Sequence, residues 1–237
     1  MRTDFSPTDT SARDFYRLLT AVVVPRPIAW VSSVSPEGVD NLAPHSFFTV
    51  ASTNPPIVQF TSVGEKDSLR NITGTREFVV NLAPAGLLEE VNATGTNFPP
   101  DVSEFDAAGL TREPSVTVAA PRVKESPAVL ECRLHSVLPI GDSTLVFGEV
   151  THAAVSSAVL DGSHPRIDLL QPLARLGLDE WGTLGAIHDL NRIRLKDWPG
   201  HFRPRNEAAP SLSLGLSVAK RKGTPTRTSL SLQLRGA

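Results

Sequence analysis

The segment from Arg26 to Phe48 carries the first residues whose types suggest chemistry. Two hydroxyl side chains, Ser32 and Ser33, stand near the end of an apolar run, and the guanidinium of Arg26 precedes them. Hydroxyl groups close to a cation can hold a phosphate through neutral and charge-assisted hydrogen bonds. The alternative is that both serines only end a strand ahead of a Pro-Glu-Gly turn. Taken alone, the segment leaves both interpretations open.

The second half of this segment, Asn41 to Phe48, mixes small residues, a proline, a hydroxyl and two rings. A flat heteroaromatic ligand needs such an edge, because backbone groups and the Ser46 hydroxyl can bond its heteroatoms while apolar side chains exclude water. The alternative is that Phe47 and Phe48 are a core residue and an interface residue of an ordinary strand. Neither interpretation is favoured at this point.

A third candidate is the stretch from Lys66 to Ile72, which places a cation and a hydroxyl at the start of a predicted helix. Unpaired backbone N–H groups at a helix N-terminus favour an anion, so Lys66 and Ser68 are candidate anion ligands. Asp67 is the expected N-cap, and its carboxylate argues against an anion there. A solvated helix start is the alternative interpretation.

Other common sites are missing from the sequence. It contains no G-x-G-x-x-G, no G-x-x-x-x-G-K-[ST], no H-E-x-x-H and no G-x-S-x-G motif. The six histidines are scattered without metal-ligand spacing, so no metal site is predicted. The single cysteine, Cys132, stands in an alternating apolar run and is expected to be a small buried side chain rather than a nucleophile. No catalytic residue can be assigned from these patterns.

The candidate residues need a framework, which the sequence predicts to be mainly β. A helix is predicted from Ser11 to about Ala21 with Ser11 as its N-cap, and short helices are predicted at Ser68 to Thr73 and from Ala85 to about Ala93. The region from Asn97 to Ala120 is predicted to be an excursion from a closed or nearly closed barrel. The strands of that barrel are predicted at Ile28 to Val34, Phe47 to Ala51, Ile57 to Ser62, Glu77 to Leu82, Ala128 to Leu138, and Thr144 to Val155.

Length and composition describe an ordinary globular chain. The 237 residues, 40% hydrophobic and 20% charged, suffice for one generous domain. No apolar run approaches the roughly 18 residues of a membrane span. The N-terminus lacks the basic and then apolar pattern of a signal peptide, so a cytoplasmic location without membrane attachment is predicted.

Charge is distributed unevenly along the chain. The 37 residues from His201 to Ala237 contain seven Lys or Arg and one Glu, a net +6, so the rest of the chain carries −8 of the total −2. We predict a domain at 1–202 and a basic, flexible tail at 203–237. Nucleic-acid binding through this tail is a less favoured alternative, which predicts salt-sensitive binding.

Taken together, the three candidate segments resemble the flavin reductase-like family of FMN-binding split barrels, to which flavoredoxins are related. The resemblance covers roughly Phe15 to Pro199, and several collinear motifs carry it. These motifs are Pro25-Arg-Pro-Ile-Ala, Val31-Ser-Ser, Asn41-Leu-Ala-Pro-His-Ser-Phe-Phe, Lys66-Asp-Ser-Leu-Arg-Asn, Glu77-Phe-Val-Val-Asn, Glu104-Phe with Ala108-Gly-Leu, Ser126-Pro with Glu131-Cys, Gly148-Glu-Val, Leu173-Ala-Arg-Leu-Gly and Trp181-Gly-Thr-Leu-Gly.

This resemblance implies a split β-barrel with Greek-key-like topology and a few short helices, which dimerises and binds FMN near the subunit interface. Trp30 is expected to flank the flavin, with core packing as the alternative, and His45 is assigned no acid or base role. The implied phosphate contacts are Ser32, Ser33, Lys66 and Ser68, with Arg26 as a weaker candidate. The implied flavin-ring and ribityl contacts, many through backbone, are Asn41, Ala43, His45, Ser46 and Phe47.

The function implied by the resemblance is an NAD(P)H-dependent flavin reductase that supplies electrons to a monooxygenase or another accepting partner. In such an enzyme the cofactor carries the reactive chemistry, and the protein orients it and limits solvent. A flavoredoxin-like FMN electron carrier without direct NAD(P)H activity is the main alternative. A pyridoxine-phosphate oxidase on the same barrel is a third, which no motif here favours.

Overall fold

A computed structural model of the protein describes residues 1–198. The chain divides into a first unit, Met1–Ile187, and a second that begins at His188. In the first unit seven strands form one antiparallel sheet in the order β2-β1-β5-β6-β7-β4-β3. They are β1 (Ala29–Val34), β2 (Asp40–His45), β3 (Phe48–Thr53), β4 (Pro56–Val63), β5 (Glu77–Leu82), β6 (Ala128–Ile140) and β7 (Ser143–Val155).

The two edges of this sheet are joined by a very short link. Strands β2 and β3 lie at opposite ends of the sheet order, yet only Ser46 and Phe47 separate them in the chain. The sheet must therefore curl until its edges approach each other, as in a barrel. At this point, which we call the seam, the Thr61 amide of β4 donates to the Phe47 carbonyl at 2.9 Å. The predicted split β-barrel is confirmed.

Six of the seven strands were expected from the sequence, with ends that differ by at most two residues. Strand β2 was not expected, because Asn41 and Pro44 are poor strand formers. It pairs with β1 alone, and an edge strand tolerates a proline where its missing N–H would not meet a neighbouring strand.

Five α-helices surround the sheet in the described part of the chain. Helix α1 begins after Ser11, whose Oγ accepts from the Asp14 amide at 3.1 Å, so the predicted cap is confirmed. The other predicted helices are present, although the one expected at 85–93 starts as a 3-10 turn at Ala85–Leu87. The helices are α1 (Ala12–Val22), α2 (Asp67–Thr75), α3 (Leu88–Ala93), α4 (Glu104–Ala107) and α5 (Ile167–Leu170).

Short strand pairs complete the first unit. Arg26–Pro27, Ala174–Arg175 and Trp181–Gly182 form a small three-stranded sheet, which brings the segment before β1 against the C-terminal part of the unit. Leu160–Asp161 pairs with His164–Pro165, and a 3-10 turn lies just before this pair at Ser157–Val159.

Strand β1 shows how the sheet separates two hydrophobic clusters. Successive side chains of a strand point to opposite faces. Val31 packs with Phe60 and Phe78 inside the barrel, whereas Trp30 packs on the other face with Phe105. Cys132 is fully buried inside the barrel, and burial raises the pKa of its thiol to about 12, so the prediction of a small buried residue is confirmed.

The excursion at 97–120 is tied to the barrel by a buried carboxylate. Glu131 on β6 accepts from the amides of Val116 and Thr117 at 2.9 and 2.6 Å, and Arg122 donates to it from Nε at 2.8 Å. Burial opposes ionisation of Glu131, but the hydrogen bonds from Thr117, Val116 and Arg122 outweigh it and lower its pKa to about 2. The pair Arg112–Glu113 and Arg122–Val123 closes the excursion as a short antiparallel ladder.

The second unit is described only from His188 to Trp198. It contains a 3-10 turn at Leu195–Asp197, where the guanidinium Nε of Arg194 lies 2.9 Å from an Asp197 carboxylate oxygen. The predicted domain boundary near Arg203 and the basic tail at 203–237 lie outside the described residues and stay predictions. Among the helices in residues 1–198, none has the length and apolar character needed to cross a membrane.

Gly148 of β7 gives a test of the barrel core. A Cβ at this position would overlap the Phe78 ring and lie 3.1 Å from the Cβ of Cys132. We expect Gly148→Ala to lower the free energy of unfolding by about 1–3 kcal/mol, the usual cost of overpacking, as measured by urea denaturation. Gly86→Ala is the matched control, since nothing lies within 4 Å of its Cβ position. Equal stability of the two variants would contradict the packing described here.

Candidate functional site

A cleft of about 220 Å³ opens at the seam, and we call it the seam cleft. Strand β2, the link to β3 and the start of α2 form most of it, and the loop after α3 and Glu104 of α4 close it. Its lining residues are Tyr16, Asn41, Ala43, Pro44, His45, Ser46, Phe47, Thr61, Val63, Lys66, Asp67, Ser68, Thr94, Gly95, Thr96, Asn97 and Glu104.

A chain of buried polar side chains runs along this cleft. The Asn41 side-chain amide donates to Glu104 Oε1 at 2.9 Å, and the Leu42 backbone amide donates to Glu104 Oε2 at 2.9 Å. The Ser68 hydroxyl donates to Asn41 Oδ1 at 3.0 Å, and His45 Nε2 lies 3.3 Å from Ser68 Oγ. These contacts link β2, α2 and α4 into one network.

The two titratable groups at the ends of this chain respond to burial in opposite ways. Burial lowers the pKa of His45 to about 4, against a hydrogen bond with the Thr61 backbone, and the charge of Lys66 lowers it further. His45 is therefore neutral at neutral pH. Burial raises the pKa of Glu104, while hydrogen bonds from Leu42 and Asn41 counteract it.

The start of α2 is open to an anion. Lys66 is the N-cap residue and no side chain caps the helix, which leaves first-turn amides for a ligand or solvent. The expectation that Asp67 is the cap is wrong: Asp67 is the first helical residue, and its carboxylate pairs with Arg70 instead. Lys66 Nζ donates to Asn97 Oδ1 at 3.1 Å across the cleft.

Two aromatic rings also line the cleft. The Tyr16 and Phe47 rings have centroids 6.5 Å apart, and the Arg26 guanidinium lies 5.9 Å from the Phe47 centroid. Arg26 itself is buried and donates to the carbonyls of Val23 and Leu176 at 3.1 and 2.6 Å. It joins the end of α1 to the C-terminal part of the unit and does not line the seam cleft, so its role as a phosphate contact stays a prediction.

Three other predicted ligands also lie away from the seam cleft. Trp30 is fully buried and its Nε1 donates to Thr94 Oγ1 at 2.9 Å, which supports the core-packing alternative. Ser32 and Ser33 are both fully buried and, as neighbours in a strand, face opposite sides of the sheet. The Ser32 hydroxyl donates to the Pro121 carbonyl, and Ser33 accepts from the Asn71 side chain at 3.2 Å. Neither serine lines the seam cleft, and their role as phosphate contacts stays a prediction.

The remaining predicted residues are brought together in the cleft, and several lining residues were missed. In the sequence, Glu104 stands out only as part of a family motif, because no local pattern indicates that its carboxylate reaches β2. The residues brought together are Asn41, Ala43, His45, Ser46, Phe47, Lys66 and Ser68. The missed ones include Tyr16, Thr61, Thr94, Thr96, Asn97 and Glu104.

A second hollow lies beyond Asn41, lined by residues that include Asp40, Arg70 and Asp101. It shares Asn41, Asp67 and Glu104 with the seam cleft. In residues 1–198, no three His, Cys, Asp or Glu side chains are grouped closely enough to hold a metal ion.

The curled sheet and the seam cleft define a split-barrel protein with a cleft beside its open edge. The family model for the flavin reductase like domain matches residues 21–171, and the chain belongs to this family. The match covers the seven-stranded sheet and every lining residue of the seam cleft except Tyr16.

Known proteins resemble the chain over most of their length. An uncharacterized protein of Aquifex aeolicus (strain VF5) is 38% identical over 180 residues, which covers 73% of this chain and 92% of that protein. The structure of nitrilotriacetate monooxygenase component B from Bacillus cereus is similar with a TM-score of 0.77 and 32% identity, covering 80% of this chain and 99% of that one. Pseudomonas fluorescens 2-nitrobenzoate 2-nitroreductase NbaA is similar with a TM-score of 0.76 and 31% identity, covering 81% and 98%.

The pKa of His45 predicts a specific pH dependence of stability. In the unfolded chain this histidine takes up a proton near its ordinary pKa of about 6.5, whereas in the folded protein it stays neutral down to about 4. Acidification from about pH 7.5 to about pH 5 therefore costs the wild type about 2 kcal/mol through this group. His45→Gln is expected to lose correspondingly less stability over that interval in urea denaturation.

The exposed His135 provides the control, because His135→Gln leaves the buried group in place. The slope of stability against pH in this variant is expected to match the wild type. If His45→Gln showed the same slope as well, a buried neutral His45 would be contradicted.

Proposed function

We propose that this protein is an FMN-binding, flavin reductase-like oxidoreductase, which transfers hydride from NAD(P)H to the flavin and supplies electrons to an accepting partner. The observation that carries this proposal is the composition of the seam cleft. The cleft offers Lys66 and the start of α2 to an anion, and it also offers the rings of Tyr16 and Phe47 beside a strand edge. A phosphate joined to a flat ring system fits that pair of surfaces.

The donors present fit FMN. The amides of the first turn of α2 and the Lys66 ammonium would hold its phosphate, and the pairing of Asp67 with Arg70 reduces the opposing negative charge. Ala43, Ser46 and the Phe47 backbone would orient its ring. When bound, FMN supplies the hydride-accepting chemistry that the amino-acid side chains lack.

The residues of the cleft then have defined tasks. Tyr16 and Phe47 exclude water from the apolar end, and Lys66 fixes the position of the anion. The neutral His45 adds no charge beside the ligand, because its pKa is about 4. No residue is given the role of acid or base.

The similar proteins support the redox part of the proposal. Two similar structures, at 32% and 31% identity, are named as a monooxygenase component B and a nitroreductase. A flavin-dependent monooxygenase or another oxidoreductase is accordingly the proposed class of accepting partner. The cytoplasmic location expected from the sequence stays a prediction.

A homodimer is also proposed, in line with the family resemblance. Its support is the apolar surface of α1, where the exposed fractions of Leu19 and Val22 are 48% and 64%. Tyr16 on the same helix is half exposed and reaches the seam cleft, so this surface is continuous with the proposed flavin site.

The phosphate end of the cleft can be tested with two flavins. Lys66→Ala is expected to weaken FMN binding about tenfold, since it removes one charge-assisted contact to the phosphate. It should leave the affinity for riboflavin, which has no phosphate, unchanged. Quenching of flavin fluorescence measures both dissociation constants. Lys124→Ala, at an exposed lysine outside the cleft, is the matched control. An equal effect of Lys66→Ala on both flavins would contradict a phosphate contact.

The reductase activity is tested separately. Wild-type protein with added FMN is expected to oxidise NADH or NADPH in steady state, as measured by the loss of nucleotide absorbance. Lys66→Ala should raise the FMN concentration needed for half-maximal rate. Tight FMN binding without oxidation of either nucleotide would contradict the hydride transfer and favour a flavoredoxin-like electron carrier.

A further inference from the structure

Glu104 is a buried carboxylate that pairs with no cation in the described part of the chain. Only 4% of its surface is exposed, and among residues 1–198 no Lys or Arg forms an ion pair with it. The nearby Arg112 pairs instead with Asp40 and Asp106. A buried carboxylate in this situation is costly unless donors satisfy it. Its donors are the Asn41 side chain and the Leu42 backbone, both on the strand that lines the seam cleft.

The chemistry of these groups fixes the direction of each hydrogen bond. Both Glu104 oxygens accept, Oε1 from the Asn41 side-chain NH₂ group and Oε2 from the Leu42 amide, so Asn41 turns its Oδ1 toward Ser68. The Ser68 hydroxyl donates to Asn41, and its oxygen lies 3.3 Å from His45 Nε2. One carboxylate thus determines which polar atoms Asn41 and Ser68 have left for a ligand.

These atoms belong to the wall of the cleft although their residues are almost buried. Asn41 and Ser68 are exposed by 8% and 1%, and both line the seam cleft together with Glu104. Without Glu104, the Asn41 amide would lose its fixed orientation, and Ser68 would be free to donate to His45 instead. The cleft would then present a mixture of donor and acceptor patterns.

We propose that Glu104 is a positioning residue: its carboxylate fixes the Asn41 amide and, through it, the Ser68 hydroxyl, and so preorganises the seam cleft for the part of the ligand that FMN and riboflavin share. This inference rests on the proposed flavin site. The role proposed for Glu104 differs from that of Lys66, which contacts only the phosphate.

A double-mutant cycle tests the proposal. Exchanging the amide and the carboxylate between positions 41 and 104 restores the hydrogen bonds that either single substitution disrupts. In Asn41→Asp/Glu104→Gln, the new glutamine can accept from Leu42 and donate to the new aspartate, which can in turn accept from Ser68. Glu104→Gln and Asn41→Asp alone are each expected to weaken FMN and riboflavin binding equally, by about tenfold. The exchanged pair should bind both flavins several-fold more tightly than Asn41→Asp alone, because the hydrogen bonds among these positions are restored. Fluorescence quenching supplies the dissociation constants.

Glu125→Gln is the matched control. Glu125 also accepts from a backbone amide, that of Thr111 at 3.1 Å, but it is exposed and lies outside the cleft. Its substitution is expected to leave both affinities unchanged. If Glu104→Gln does not fold, Asn41→Asp and the exchanged pair still provide the comparison, since rescue by the second substitution is the expected result.

A measurement on the flavin-free protein separates this proposal from the proposed function. The NMR signal of the Asn41 side-chain NH₂ is expected to show slow exchange with solvent in the wild type and fast exchange in Glu104→Gln. An unchanged Asn41 signal would overturn the positioning role, as would unchanged riboflavin affinity in Glu104→Gln or an exchanged pair as weak as the single variants. Failure of the wild type to bind either flavin would overturn the proposed function instead. The Asn41 signal of the flavin-free protein would then still test whether Glu104 fixes the Asn41 amide.

Discussion

The two-residue link between the edges of the sheet is the constraint on which the rest of the structure depends. Because β2 and β3 are consecutive in the chain but lie at opposite ends of the sheet, the seven strands have to curl. The curl leaves β2 with an edge that no strand of the described chain pairs. The seam cleft forms there, so the same connection that shapes the barrel also creates the candidate site. Ser46 and Phe47, which make the connection, line that cleft.

The backbone N–H and C=O groups on an unpaired strand edge beside a core need hydrogen-bond partners other than a neighbouring strand. Here buried polar side chains supply such partners. Glu104 accepts from the Leu42 amide on the free edge of β2, and Ser68 joins Asn41 to α2. Glu131 does the same for the backbone of the excursion, but with Arg122 as a cation. Glu104 pairs with no such cation in residues 1–198. Because a buried carboxylate without a cation is costly, we infer that Glu104 does more than stabilise the fold.

The sequence predicted the regular parts of this fold well and the long-range contacts poorly. Alternating runs such as Glu77–Leu82 identify strands, and Ser11 identifies a helix start, because both signals are local. The partners of Ser32 and Ser33, the Pro121 carbonyl and the Asn71 side chain, are distant in the chain. Arg26 donates to backbone carbonyls, one of them 150 residues away in the chain. Such partners become visible only when distant segments are brought together.

An NMR titration of isotope-labelled protein with FMN tests most directly whether the seam cleft is the flavin site. If it is, backbone amide shifts change at Ala43 to Phe47 and at Lys66 to Ser68, and the residues lining the second hollow away from Asn41, such as Asp101, change little. Shifts concentrated around Asp101 and Arg70, or no shifts at FMN concentrations that saturate similar flavoproteins, would contradict that assignment.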